Sequence, residues 1–186
     1  MKSFNILIAT IGRPKLQFML NSLKDQLKEQ DCITIVFDGL NHIPEFDLSN
    51  FKCKIVQFYE PIALGYWGHG IRTKYSSLIE EKDFVLHADD DDMYLPDVFD
   101  RLRTECINKD TLYIGKMMTA CRRILPETNE IKRNHIGTPC GIIPYNINKH
   151  TIWPFEWGGD GMFYEEISKK SNQISYLDVI LYKVRP

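Results

Sequence analysis

Phe84-Val85-Leu86-His87-Ala88-Asp89-Asp90-Asp91-Asp92 decides the fold class of this chain. A short, nearly continuous apolar run with no polar alternation reads as a strand buried on both faces, the kind that a helix-covered parallel sheet contains. Four carboxylates then follow without a break. Like charges packed this densely at the mouth of a buried strand repel one another, and a low effective dielectric strengthens the repulsion. A cation sharing the site relieves it, and an oxygen-only carboxylate set suits Mg²⁺ or Mn²⁺. A divalent ion held by carboxylates has, most often, a phosphate as its second client. The stretch therefore points to metal-assisted chemistry on a phosphorylated donor. The plainer alternative is a solvated acidic turn that merely ends a strand.

The flanking sequence extends the pattern in both directions. Residues 4–9 read as a buried strand, and Pro14 opens a helix with Leu16, Met19, Leu20, Leu23 and Leu27 on its apolar face. Residues 32–37 form a second strand ended by Asp38-Gly39, and residues 53–59 a third. A second helix is expected over about 69–81, with Ile71, Tyr75, Leu78 and Ile79 on one side. Pro96 starts a third helix that buries Val98, Phe99, Leu102 and Cys106. This β-α-β-β-α-β-α order predicts an α/β fold, with an open, mostly parallel, Rossmann-like sheet carrying helices on both faces. Ligands bind such sheets beyond the carboxyl ends of the strands. Thr10, Arg13, Asp38 and the aspartates all fall there. The later sequence is less regular: a strand over 111–118, a polar, turn-rich stretch over 121–139, a helix over about 160–170 and a closing strand over 174–184.

Size and composition bound the rest. A chain of 186 residues suits one domain with a substantial core. We expect a nucleotide-binding half over about 1–96 and an acceptor or catalytic half over about 97–186. Basic and acidic residues number 23 and 25, and no basic stripe stands out, which argues against a nucleic-acid partner. No stretch approaches the length of a membrane span, and the apolar start is too short for a signal peptide. The five cysteines lack any C-x-x-C spacing and are expected as free thiols in a reducing, cytoplasmic setting.

Several motifs stand in a particular order. Thr10-x-x-Arg13-Pro14 follows the first strand, Asp38-Gly39 the second, and Gly65-x-x-Gly68-x-x-x-Arg72 precedes the acidic cluster. Asp89 to Asp92 lead to Tyr94 and Pro96, Gly158-Gly159-Asp160 precedes Phe163, and the chain ends Leu181-Tyr182-Lys183-Val184-Arg185-Pro186. In this order and spacing the chain resembles GT-A fold glycosyltransferases of the family 2 type. The likeness spans nearly the whole chain.

The resemblance implies a metal-dependent enzyme moving a sugar from a nucleotide-diphosphate donor, a UDP-sugar, to a glycan or other hydroxyl acceptor with inversion. By similarity, Asp89 and Asp91 are the Asp-x-Asp pair that holds Mn²⁺ or Mg²⁺ against the diphosphate. The run of four leaves the register open by one, with Asp90 and Asp92 as the alternatives. Asp38 is similar to the carboxylate that receives the nucleotide base, with Thr10, Arg13, Gly65 and Asp90 around the same donor. Arg72 resembles a donor-binding arginine whose guanidinium suits phosphate, and Asp160 the general base, with Glu156 and Glu165 as backups. Trp153, Phe155 and Trp157 form either a sugar platform or a core cluster, and Arg185 or Lys183 a phosphate contact. The rival readings are a nucleotidylyltransferase, which needs a basic Gly-rich phosphate loop after the first strand, and a non-catalytic nucleotide-sugar or carbohydrate-binding module, which does not need Asp160.

Overall fold

The computed structural model describes residues 1–186. Its elements alternate through the first half: β1 (Phe4–Thr10), α1 (Leu16–Lys24), β2 (Cys32–Asp38), β3 (Lys54–Glu60), α2 (His69–Tyr75), β4 (Phe84–Asp89), β5 (Met93–Tyr94) and α3 (Val98–Glu105). The second half adds β6 (Leu112–Met118), β7 (Ile124–Leu125), β8 (Gly141–Pro144), α4 (Tyr145–Asn148), α5 (Gly159–Lys170) and β9 (Ile174–Lys183). No helix is long and apolar enough to cross a membrane.

The sheet runs β3-β2-β1-β4-β8-β6-β9-β5, with β7 paired to β6. β3, β2, β1 and β4 are parallel neighbours, as the first half predicts. The mostly parallel expectation fails beyond β4. β8 pairs antiparallel with both β4 and β6, and β5 pairs antiparallel with β9, so the sheet as a whole is mixed. The cause is β8, a four-residue strand between turns, too short and too punctuated by Gly141 and Pro144 to show a period. It returns from β6 and β7 with no α-helix between, and so short a return lays it antiparallel to β6 and, on its other edge, to β4.

Alternation along β1 and β4 sorts the core. Phe4, Ile6, Ile8, Phe84, Leu86 and Ala88 pack with Leu16, Met19, Leu20 and Leu23 of α1 and with Phe99 and Leu102 of α3. Leu7, Ala9, Val36 and Val85 face the opposite layer, where they meet Ile71 and Tyr75 of α2. α5 lies on that second side as well, where the Phe163 ring meets His87. α2 is shorter than the expected 69–81: it stops at Tyr75, and Leu78 is exposed while Ile79 alone turns back into the core. All five cysteines are free, four buried and Cys121 exposed.

Candidate functional site

The parallel strands end side by side, with Ala9 opposite Asp89 and Thr10 opposite Phe37. This register places Thr10, Asp38 and Asp89 around one opening. A cavity of about 400 Å³ lies there, lined among others by Thr10, Arg13, Asp38, Gly65, Asp89, Asp90, Asp91 and Asp160. A larger hollow of about 520 Å³ lies behind the aspartates, bordered by Phe18, Met93 and Pro186. It contains none of Thr10, Asp38 or Asp160, so the smaller cavity is the one with chemistry.

The four aspartates do not point to one place. Asp89 accepts Nη2 of Arg72 at 2.5 Å, and its backbone is gripped by the Tyr182 hydroxyl, 3.0 Å from the Asp89 N–H. Asp90 is buried, accepting the Thr10 hydroxyl at 2.6 Å and lying 3.2 Å from Nη1 of Arg13. Burial lifts its carboxyl above the ordinary range, against the pull of Thr10 and Arg13. Asp91 meets the same Arg13 nitrogen at 3.0 Å and Nε of Arg185 at 3.5 Å. Asp92 turns away from the cavity to accept the Arg185 backbone N–H at 2.8 Å, and desolvation pushes its pKa up to about 7. Repulsion is thus relieved by three arginines and by divergence of the side chains. No group of three or more His, Cys, Asp or Glu side chains is arranged to hold a metal ion. Asp89 and Asp91 nevertheless open on one cavity as oxygen donors, and Mg²⁺ needs only one or two carboxylates where phosphate and water complete its shell.

Arg72 is not a solvent-facing helix residue, and it does not line the cavity either. It is fully buried beneath it, donating to the carbonyls of Trp67 (2.9 Å) and Ala88 (3.1 Å) as well as to Asp89, with its guanidinium 5.3 Å from the Trp153 ring centre. In this arrangement it holds a carboxylate and a loop in place. Asp38 is likewise engaged, its two oxygens accepting the backbone N–H groups of Leu64 and Gly65 at 2.6 and 2.8 Å. The loop so anchored is contorted. Gly65, Tyr66, Trp67 and Gly68 all have φ between 53° and 85°, and two of them are bulky side chains for which that region costs about 1–2 kcal/mol each. Gly68 is required twice over, since a Cβ there would sit 2.8 Å from that of Ala9 and 2.7 Å from Arg72.

Asp160 stands in the first turn of α5 and lines the same cavity. Its Oδ1 accepts the Thr138 hydroxyl at 2.9 Å and lies 3.4 Å from Nε2 of His69. Burial alone would raise its pKa, but the adjoining His69 ring, the hydrogen bond from Thr138 and the charge of Arg72 outweigh burial and hold it below the ordinary carboxylate range. His69, Thr138 and Asn134 also border the cavity, and the sequence did not single them out. Thr138 sits in a turn-rich stretch whose path only tertiary contacts set. His69 follows Gly68 in an unremarkable helical context, with no metal-ligand spacing to mark it.

Aromatic side chains form the rim. Trp67 and Trp157 line the cavity with ring centres 5.5 Å apart, and beside them Tyr66 stacks on Phe155 at 4.7 Å. All four are at least half exposed. Trp153, grouped with them in the sequence, is instead core: it is fully buried and stacks on Phe163 at 3.8 Å. Glu156 borders the cavity but is tied to Arg133, and Glu165 lies on the exposed side of α5 outside it. Arg185 lines the cavity, whereas Lys183 does not.

No protein-family model and no curated protein matches the sequence. Solved structures do match. Residues 1–349 of Staphylococcus aureus TarS superpose with a TM-score of 0.72 at 20% identity, covering 99% of this chain and 60% of that one. The same TarS segment in complex with UDP-GlcNAc gives 0.73 at 19% identity, covering 99% of this chain and 58% of that one. HddC from Yersinia pseudotuberculosis gives 0.57 at 14% identity, over 98% of this chain and 92% of that one. At these identities the likeness is one of fold. The chain spans about 60% of the TarS 1–349 segment and 37% of the longer TarS structure.

Proposed function

We infer that this protein transfers a sugar from a nucleoside-diphosphate donor, a UDP-sugar, to a hydroxyl of a glycan or related acceptor, as a GT-A type enzyme inverting the anomeric carbon. One observation carries the reading: the donor-side groups at the strand ends and the Asp160 carboxylate of α5 line one cavity. A fold shared with TarS, which has been solved in complex with UDP and with UDP-GlcNAc, supports the choice of donor.

Thr10, Arg13, Asp38 and Gly65 surround the donor side, where backbone and side-chain donors suit a nucleotide and its phosphates. Arg13 and Arg185 lie at the aspartates, positioned to exchange carboxylate for phosphate as their partner when a diphosphate enters. Arg72 acts from below by fixing Asp89. Asp89 and Asp91 would hold Mn²⁺ or Mg²⁺; such an ion supplies Lewis-acid neutralisation of the charge that builds on the departing diphosphate. Asp160 receives the proton of the acceptor hydroxyl as its oxygen attacks. The rim of Trp67 and Trp157, with Tyr66 and Phe155 beside them, offers flat apolar faces to the acceptor's rings. A non-catalytic binding module does not need the Asp160 carboxylate at the cavity wall.

Calorimetry with UDP and UDP-GlcNAc, with and without Mn²⁺, tests the reading. UDP binding that strengthens with Mn²⁺ in the wild type and loses that increment in Asp91→Asn is the expected result. No binding of any nucleoside diphosphate under either condition would overturn it.

A further inference from the structure

His69 is buried in the wall of the cavity, and its hydrogen bonding assigns its proton. Nδ1 lies 2.6 Å from the Pro154 carbonyl oxygen, an atom that can only accept, so Nδ1 carries the hydrogen. In the neutral ring Nε2 is then the bare nitrogen. It faces Oδ1 of Asp160 at 3.4 Å, longer than the 2.7–2.9 Å typical of a charge-assisted bond. The ring is held in that orientation. It packs against Trp153 at 5.2 Å, and α5 closes on it through Gly159, where a Cβ would sit 2.8 Å from Cε1 of His69.

Few other charges face the pair. Arg72 lies one turn along α2, and His87 of β4 stands across the Trp153 ring, kept neutral by burial with a pKa of about 3. Thr138 donates to the same Asp160 oxygen that faces His69. Oδ1 of Asp160 is thus already occupied by the Thr138 hydroxyl, and a proton placed on the carboxylate needs somewhere to go.

We propose that His69 is the proton-holding partner of Asp160, receiving through that carboxylate the proton released by the acceptor. The inference rests on the transferase reading above. In the step, the acceptor O–H bond breaks and its electron pair forms the new bond to the anomeric carbon. The bond from that carbon to the donor phosphate oxygen breaks, its pair leaving on the diphosphate. The proton passes through the Asp160 carboxylate to form Nε2–H, leaving an imidazolium–carboxylate pair that releases the proton to water afterwards. Pro154 keeps the tautomer ready by occupying Nδ1. His69 thus positions the proton without touching the sugar.

Two readouts test it on the full chain. Long-range ¹H–¹⁵N NMR of the ¹⁵N-labelled wild type at neutral pH should show Nδ1 protonated and Nε2 bare. In steady-state transfer from UDP-GlcNAc, His69→Gln should lower kcat by ~10²-fold with donor KM and UDP affinity unchanged. A protonated Nε2 in the wild type, whatever the state of Nδ1, overturns the proposal even where the variant fails to fold. So does a His69→Gln enzyme that transfers at the wild-type kcat, and in that case the transferase reading stands. A wild type that transfers sugar from no nucleotide donor overturns the transferase reading itself.

Discussion

Arg72→Met is the substitution whose cost can be worked most directly from the geometry. Methionine fills much of the volume, so the loss is chiefly polar. The guanidinium satisfies the Trp67 and Ala88 carbonyls, and each buried acceptor left without a donor costs about 1 kcal/mol at the low end of the known range. The partner Asp89 is about a third exposed, so the ion pair counts as a partly solvated one, about 1 kcal/mol. The cation–π contact with Trp153 contributes roughly another 1 kcal/mol. Against this, the Arg72 Nε is buried without a partner, and removing it returns roughly 1 kcal/mol. The net loss is about 3 kcal/mol, which for a domain of this size lowers Tm by roughly 6–12 °C. Differential scanning fluorimetry alongside urea unfolding measures it. Arg72→Lys should recover only part, because one ammonium cannot span three acceptors held by a planar fork. A Tm within about 2 °C of wild type for Arg72→Met would refute the claim that this arginine holds the floor of the site.

Other expectations are as concrete. Asp160→Asn should reduce sugar transfer by about 10²–10⁴-fold while leaving UDP affinity by calorimetry unchanged. Gly68→Ala should cost about 2–4 kcal/mol, from a left-handed φ of 85° and a Cβ driven against Ala9, and is read as a lower urea midpoint at constant slope. Burial depresses the folded pKa of His87 from 6.5 to about 3, so the unfolded chain binds a proton that the folded chain refuses. The stability this contributes is present above pH 6.5 and is lost as pH falls from there toward 3, by up to about 1.4 kcal/mol per pH unit. Urea titrations from pH 7.5 to 4.5 should show His87→Gln with the shallower dependence.

Much of the first half was legible from periodicity. Buried strands at β1, β2 and β4, each followed by a turn with Gly, Pro or acidic residues, leave few arrangements besides a parallel sheet with polar groups at its carboxyl edge. The helix faces of α1 and α3 were legible for the same reason. In the second half β6, α5 and β9 were legible too, but β7, β8 and α4 were not, because they are two to four residues long, too short for any period to emerge. Their placement depends on the β4 and β6 edges they complete.

Local pattern therefore determined which residue types stand at the strand ends: the run of aspartates, Asp38, Thr10 and Arg13 were set by chain position alone. Tertiary packing decided what each of them does. It turned Asp92 away, sank Arg72 beneath Asp89, tied Asp38 to the loop at Gly65 and set Asp160 against His69, a residue 91 positions earlier in the chain. The physical reason is range. Alternation and turn chemistry are read over a few neighbouring residues, whereas the partner of a buried charge is whatever the fold brings within about 4 Å of it.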